Sequence, residues 1–282
     1  MNASTDHGSG EGRLSIRDVG KIYDPEGVHV VALERCSLEI EPGGFVAVVG
    51  PSGCGKSTLL NVLAGFDHLT SGEVDLDGQP LAAIGRTPVP GPDRVVVFQN
   101  GALFPWFTVL DNITYGPVRQ RLLSRDDANE RAMALLASTG GLDRIAGAYP
   151  GQLSSGMQRR VEILRALINN PRILLLDEPF RAMDTVSKST MHQHLLDIYD
   201  QFRKTVFFIT HDLDEAILLA DQVVVMTTRP GTIKMLIDVD LPRPRHRDMA
   251  TSATFLELKR QAIAAVHEEA RQAFERGERE LA

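Results

Sequence analysis

Cysteine is scarce in this sequence: Cys36 and Cys54 are the whole complement among 282 residues. Two thiols are too few for a disulfide framework and lack metal-ligand spacing, which agrees with a reducing compartment. Long apolar runs are missing too. FVAVV at 45–49 and ILLL at 173–176 fall far short of the roughly 18 residues that a membrane helix needs, so no segment is expected to span a bilayer. Positive charge is also short: 30 Lys and Arg against 37 Asp and Glu leave a net charge of −7, the wrong sign for a broad nucleic-acid-binding surface. No nucleic-acid partner is expected, and any phosphate contact must be local. Residues 1–12 carry neither an apolar stretch nor a basic start, so they read as a flexible tail and not as a signal peptide. The chain is expected to stay in the cytoplasm.

What remains is ample for folding. At roughly 150 residues per domain the length allows one large domain or two small ones, and 43% apolar residues supply a core. Short β-rich runs, FVAVVG, DRVVVFQ, RILLLDEP, TVFFIT and QVVVMT, alternate with helical segments, the pattern of buried parallel strands in an α/β core. LSIRDV, VVALERCSLEI and GEVDLDG alternate in polarity and read as an antiparallel β flank. From about 100 to 170 the spacing turns helical, predicting an α-helical subdomain inserted in the core. Beyond the PRPRHR stretch at 242–247, Phe255, Leu258, Ala262, Val266, Ala270 and Phe274 recur every three or four residues, with Ile263 at the edge of the stripe. Residues 246–282 are therefore expected to form a C-terminal amphipathic helical extension packed on its own domain.

The chemistry concentrates in GPSGCGKST at 50–58, which follows a strand and opens a helical run and so matches the phosphate-binding pattern GxxxxGK[ST] in its required context. Gly50, Gly53 and Gly55 let the loop turn its N–H groups toward phosphate oxygens, with Pro51, Ser52, Cys54 and Thr58 completing the cradle. Lys56 reaches the β- and γ-phosphates, and Ser57 offers a hydroxyl to Mg²⁺. At the end of RILLLDEP, Asp177 is the second metal ligand and Glu178 the group that orients the attacking water. Cys54, near a helix N-terminus and two residues from Lys56, is expected to be a reactive thiolate.

LSSGMQRR at 153–160, some twenty residues before RILLLDEP, resembles the LSGGQ signature of ATP-binding-cassette (ABC) ATPases. Gln99 resembles that family's Q-loop, Asp184 its D-loop, His211 its switch histidine and Tyr23 the aromatic that stacks on adenine. These motifs fall in family order over residues 13–245. The resemblance implies the P-loop NTPase fold of the family, hydrolysis of ATP with Mg²⁺, and catalytic roles for Glu178, His211, Gln99 and Lys56, with Gln99 also a metal ligand beside Ser57 and Asp177. It implies that Ser154 and Gly156 bind the γ-phosphate held by a second copy of the chain, in a head-to-tail dimer. Four positions depart from the family pattern: Ser155 replaces a glycine, Met157 a glutamine, and Arg181 with Met183 stand where small-Ala-Leu is common. If position 155 needs φ > 0, the serine costs about 1 kcal/mol and slows hydrolysis.

LFPWFTVLDNITYG and RPGTIKMLIDVDLPRPR resemble the ATPase subunits of nitrate, sulfonate and taurine importers. That likeness implies an integral-membrane permease docking at Phe104, Trp106 and Phe107, indirect service to an external solute-binding protein, and peripheral residence on the cytoplasmic face of the cell membrane. Two alternatives stay open at this point: a soluble ABC-class ATPase not coupled to transport, and a slow or non-hydrolysing regulatory ATP binder.

Overall fold

In a computed structural model, residues 11–24, 27–181 and 183–275 are described. Two sheets organise the chain. The larger, ordered β10-β9-β3-β8-β7-β6, contains β3 (Phe45–Val49), β6 (Arg94–Val97), β7 (Ile173–Asp177), β8 (Thr205–Ile209), β9 (Gln222–Met226) and β10 (Ile233–Asp238). Its pairings are parallel except β9 with β10. The smaller sheet is antiparallel, ordered β2-β1-β4-β5, from β1 (Leu14–Tyr23), β2 (Val30–Ile40), β4 (Ser71–Leu76) and β5 (Gln79–Ala83).

Strand alternation explains the two cores. In β3, Phe45, Ala47 and Val49 face one hydrophobic cluster, whereas Val46 and Val48 face another, because successive side chains leave a strand on opposite faces. β7 divides likewise, Leu174 and Leu176 from Ile173 and Leu175. Both faces are covered, which is why these strands are apolar at nearly every position. The first core lies under the helices; the second holds α1 (Lys56–Ala64), wedged between the two sheets through Leu59, Leu60, Val62 and Leu63.

Between β6 and β7 come α2 (Val109–Arg119), α3 (Arg125–Ser138) and α4 (Ser155–Leu167). Their starts are capped by Thr108, Ser124 and Ser154, whose side chains each accept a backbone N–H three residues on. α5 (Thr185–Phe202) and α6 (Leu213–Leu219) start on Asp184 and Asp212 in the same way. A long α7 (Ala253–Glu275) follows. Its Phe255, Leu258, Ala262 and Ala265 are buried in the first core, with Val266 half-buried and Ile263 at the margin. Ala270 and Phe274, the end of the expected stripe, lie outside the residues whose side chains are described. Lys234 on β10 pins the helix by bridging Glu268 and Glu269 at 2.6 and 2.7 Å.

The PRPRHR stretch is an anchor. Arg245 is buried and donates to the carbonyls of Val239 and Leu241 and to those of Ile217, Leu218 and Ala220 at the end of α6. Unsatisfied helix carbonyls take a cation well. Residues 1–10 are outside the described set. Gly12, expected in the flexible tail, is instead fastened: its N–H donates to Asp77 at 2.7 Å and its carbonyl accepts from Thr205 at 2.8 Å. No helix among the described residues is long and apolar enough to cross a membrane.

Candidate active site

The loop at 50–58 joins β3 to α1 and turns on two glycines in the left-handed region, Gly53 at φ 76° and Gly55 at φ 90°. Gly55 is constrained twice, since a Cβ there would also stand 2.8 Å from the Ala32 carbonyl oxygen. Lys56 is buried and folds back over the loop, donating to the carbonyls of Gly50 (2.8 Å) and Pro51 (3.0 Å). Ser52 and Gly53 are exposed at the loop's crest and Thr58 is half-buried. The ammonium thus lies inside a ring of backbone that phosphate would enter.

Ser57 opens α1 and points its hydroxyl at Asp177 Oδ1, 3.5 Å away at the end of β7. Burial, and next the charge of Glu178, push the Asp177 carboxyl up, while the Ser57 hydroxyl and Lys56 pull it down. A hydroxyl beside a carboxylate is an all-oxygen donor set that suits Mg²⁺, whose remaining ligands are then water and phosphate. Among the described residues no cluster of three His, Cys, Asp or Glu competes with it as a metal centre.

Glu178 follows with φ 41°, a conformation that costs a non-glycine residue free energy and persists only where neighbours impose it. Its N–H donates to the Ile209 carbonyl at 2.9 Å, tying the end of β7 to the end of β8. His211, two residues on, brings Nδ1 to 3.4 Å of Glu178 Oε2. Two adjacent parallel strands therefore deliver Glu178 and His211 together.

Gln99 lies two residues beyond β6, half-buried, and its carbonyl accepts from Arg159 at 2.7 Å. Tyr23 ends β1; its hydroxyl donates to Asp67 at 2.7 Å and Lys21 stands 4.7 Å from the ring centroid, leaving the ring partly exposed. Asp184 caps α5 by accepting from Val186 and Ser187, both at 3.0 Å, and the Ser187 bonds hold its carboxyl low.

Ser154 is exposed and caps α4; Gly156 is half-buried in the first turn. No hydrogen bond or ion pair among the described residues links 154–156 to the loop at 50–58. The motif residues therefore form two groups: the loop, Asp177, Glu178 and His211 meet, whereas Ser154 and Gly156 stand apart.

The ABC transporter family model matches residues 33–181. Relatives include the taurine import ATP-binding protein of Rhizobium johnstonii, 44% identical over 243 residues and covering 84% of this chain and 90% of that one. The nitrate import ATP-binding protein of Synechococcus elongatus is 41% identical over 254 residues, 89% of this chain and 90% of its own. Among solved structures, a dimeric ATP-binding cassette in a post-hydrolysis state with ADP and Pi is 31% identical, with a TM-score of 0.67 over 81% of this chain and 100% of that one. The chain belongs to the ABC transporter family.

As an ABC ATPase it binds and hydrolyses ATP, and its site corrects two expectations. Cys54 is fully buried, and burial pushes its thiol up despite the nearby Lys56 ammonium, so it is not a reactive thiolate. Ser155 is the first residue of α4 and is absent from the positive-φ positions, so it carries no glycine-like strain. Helix N1 accepts serine without penalty.

Several residues that sequence reading passes over contact the motif segments of this ABC ATPase. Arg159 on α4 donates to the carbonyls of Phe98 and Gln99 and pairs with Glu162 at 2.6 Å, while Glu162 accepts from the Ala102 N–H at 2.7 Å. The signature helix thereby grips the Q-loop on both sides of Gln99. Behind His211, Thr210 donates to buried Glu215, which Lys188 and His192 of α5 also meet at 3.0 and 3.3 Å. Only the packed structure reveals these partners, since each pair is distant in sequence or hidden within a charged helix.

Proposed function

We propose that the chain is the energy-coupling ATPase of an importer for a small organic or oxo-anionic solute, working as a head-to-tail dimer against a membrane permease on the cytoplasmic face. Taurine and nitrate import in its relatives supports that solute class. In this reading Lys56 and the N–H groups of 50–58 hold the phosphates and Tyr23 stacks on adenine. Mg²⁺, when held by Ser57 and Asp177 with Gln99 alongside, would neutralise charge on the transferred phosphoryl. Glu178 orients the water, His211 lies against it, and Ser154 with Gly156 of the second copy closes over the γ-phosphate from the other side.

One observation carries the coupling reading: Trp106 is 67% exposed on a loop that is otherwise rigid. Buried Asn112 fixes that loop through bonds to Phe104, Phe107 and Thr108, all between 2.8 and 3.1 Å. Arg165 of α4 holds the Ala102 carbonyl at 2.8 Å and lies 5.5 Å from the Phe104 ring. Phe104, Phe107 and Tyr115 pack on one another with ring centroids 5.1 to 5.5 Å apart, and the indole stands 5.7 Å from Phe104 and 6.2 Å from Phe107. An exposed aromatic held in place is an anchor for a partner helix, and its tether to the signature helix supplies the mechanical link.

Trp106→Ala should lower retention on permease-containing membranes by roughly 30-fold, the equivalent of about 2 kcal/mol, with basal ATPase and melting temperature unchanged. Unaltered membrane retention would defeat the docking assignment.

A further inference from the structure

The turn after Glu178 carries a side chain that the mechanism above does not use. Arg181 N–H donates to the Glu178 carbonyl at 3.2 Å, closing a turn that brings residue 181 back over residue 178. Phe180 between them is fully buried against Phe208 and His192, with ring centroids 6.0 and 5.1 Å away, so the turn cannot drift. Arg181 Nη1 then stands 3.1 Å from Glu178 Oε2. His211 approaches the same oxygen. Among the described residues no hydrogen bond reaches the other oxygen, Oε1, although the side chain is only 14% exposed. A carboxylate with one oxygen bonded to Arg181 and flanked by the His211 ring has its rotamer fixed and its second oxygen directed.

We propose that Arg181 is a positioning residue for hydrolysis: together with His211 it engages Oε2 of Glu178, so that Oε1 is presented to the attacking water. The inference rests on the reading of Glu178 as the group that orients water. Arg181 does not touch nucleotide in this scheme; it acts only through the carboxylate. Because its guanidinium is 57% exposed, the pair is screened and the effect is graded, not absolute.

The test uses the purified full-length chain and steady-state phosphate release. Arg181→Ala should reduce kcat about fivefold with KM for ATP unchanged, and Arg181→Lys should recover most of the loss. In a Glu178→Gln background, Arg181→Ala should change the residual rate no further, since its only route of action is gone. An unchanged or raised kcat in Arg181→Ala, a parallel rise in KM, or no rescue by lysine would overturn the proposal. So would a further loss in the Glu178→Gln background, which would place Arg181 directly on phosphate. Failure of the underlying reading looks different: Glu178→Gln alone would keep its turnover.

Discussion

The loop at 50–58 and the start of α4 are both helix N-termini that carry sequence motifs, yet the chain treats them oppositely. Behind the loop's exposed crest the contacts are internal: Lys56 and Cys54 are buried, Gly55 fits against the Ala32 carbonyl, and Asp177 and Glu178 arrive from the next strand but one. At α4, Ser154 and Ser155 are exposed and the cap is satisfied only by its own Met157 N–H at 3.3 Å. The first terminus draws its contacts from its own chain, and the second leaves its first turn open to solvent. That contrast, more than any single motif, supports two copies facing each other.

Glycine substitutions sharpen the contrast. Gly55→Ala should cost about 2 kcal/mol of stability or more, because a Cβ meets backbone at φ 90°, and thermal melting should fall accordingly. Gly156→Ala should behave in reverse. Its Cβ would find only Met191 Sδ at 3.7 Å, ordinary contact, so melting should hold or rise while ATP turnover drops by roughly tenfold as the methyl crowds the facing phosphate. If Gly156→Ala destabilised the chain as much as Gly55→Ala, the two termini would not differ as described. The smallest effect concerns the thiols. Burial pushes Cys36 up to about 11 and Cys54 upward as well, so a maleimide at neutral pH should label neither until denaturant opens the fold. Rapid labelling of Cys54 in the native protein would show that the loop is open.

The parts legible in sequence are those whose physics is local. Glycines around Lys56, the apolar runs of β3, β7, β8 and β9, and the DE pair after β7 announce themselves within a few residues. β5 and β10 do not: QPLAA holds a proline, and IKMLID leaves Met235 and Leu236 exposed and Lys234 half-buried, so neither resembles a buried strand. Cys54 shows the same limit from the other side. Helix terminus and lysine argued for a thiolate, but burial, which only the tertiary fold decides, outweighs them. Arg159 reads as an ordinary surface charge, and Arg181 only as a departure from the family pattern, until the structure places them on Gln99 and Glu178.

Mixing two inactive variants tests the facing-copies account most directly. Lys56→Ala spoils the phosphate loop and Gly156→Asp spoils the signature terminus, each alone releasing almost no phosphate. In a head-to-tail dimer, half of randomly mixed pairs are heterodimers with one intact site of two, so the mixture should recover roughly a quarter of wild-type phosphate release. A mixture no more active than its separate components would contradict the account, since a site complete within one chain gains nothing from a partner.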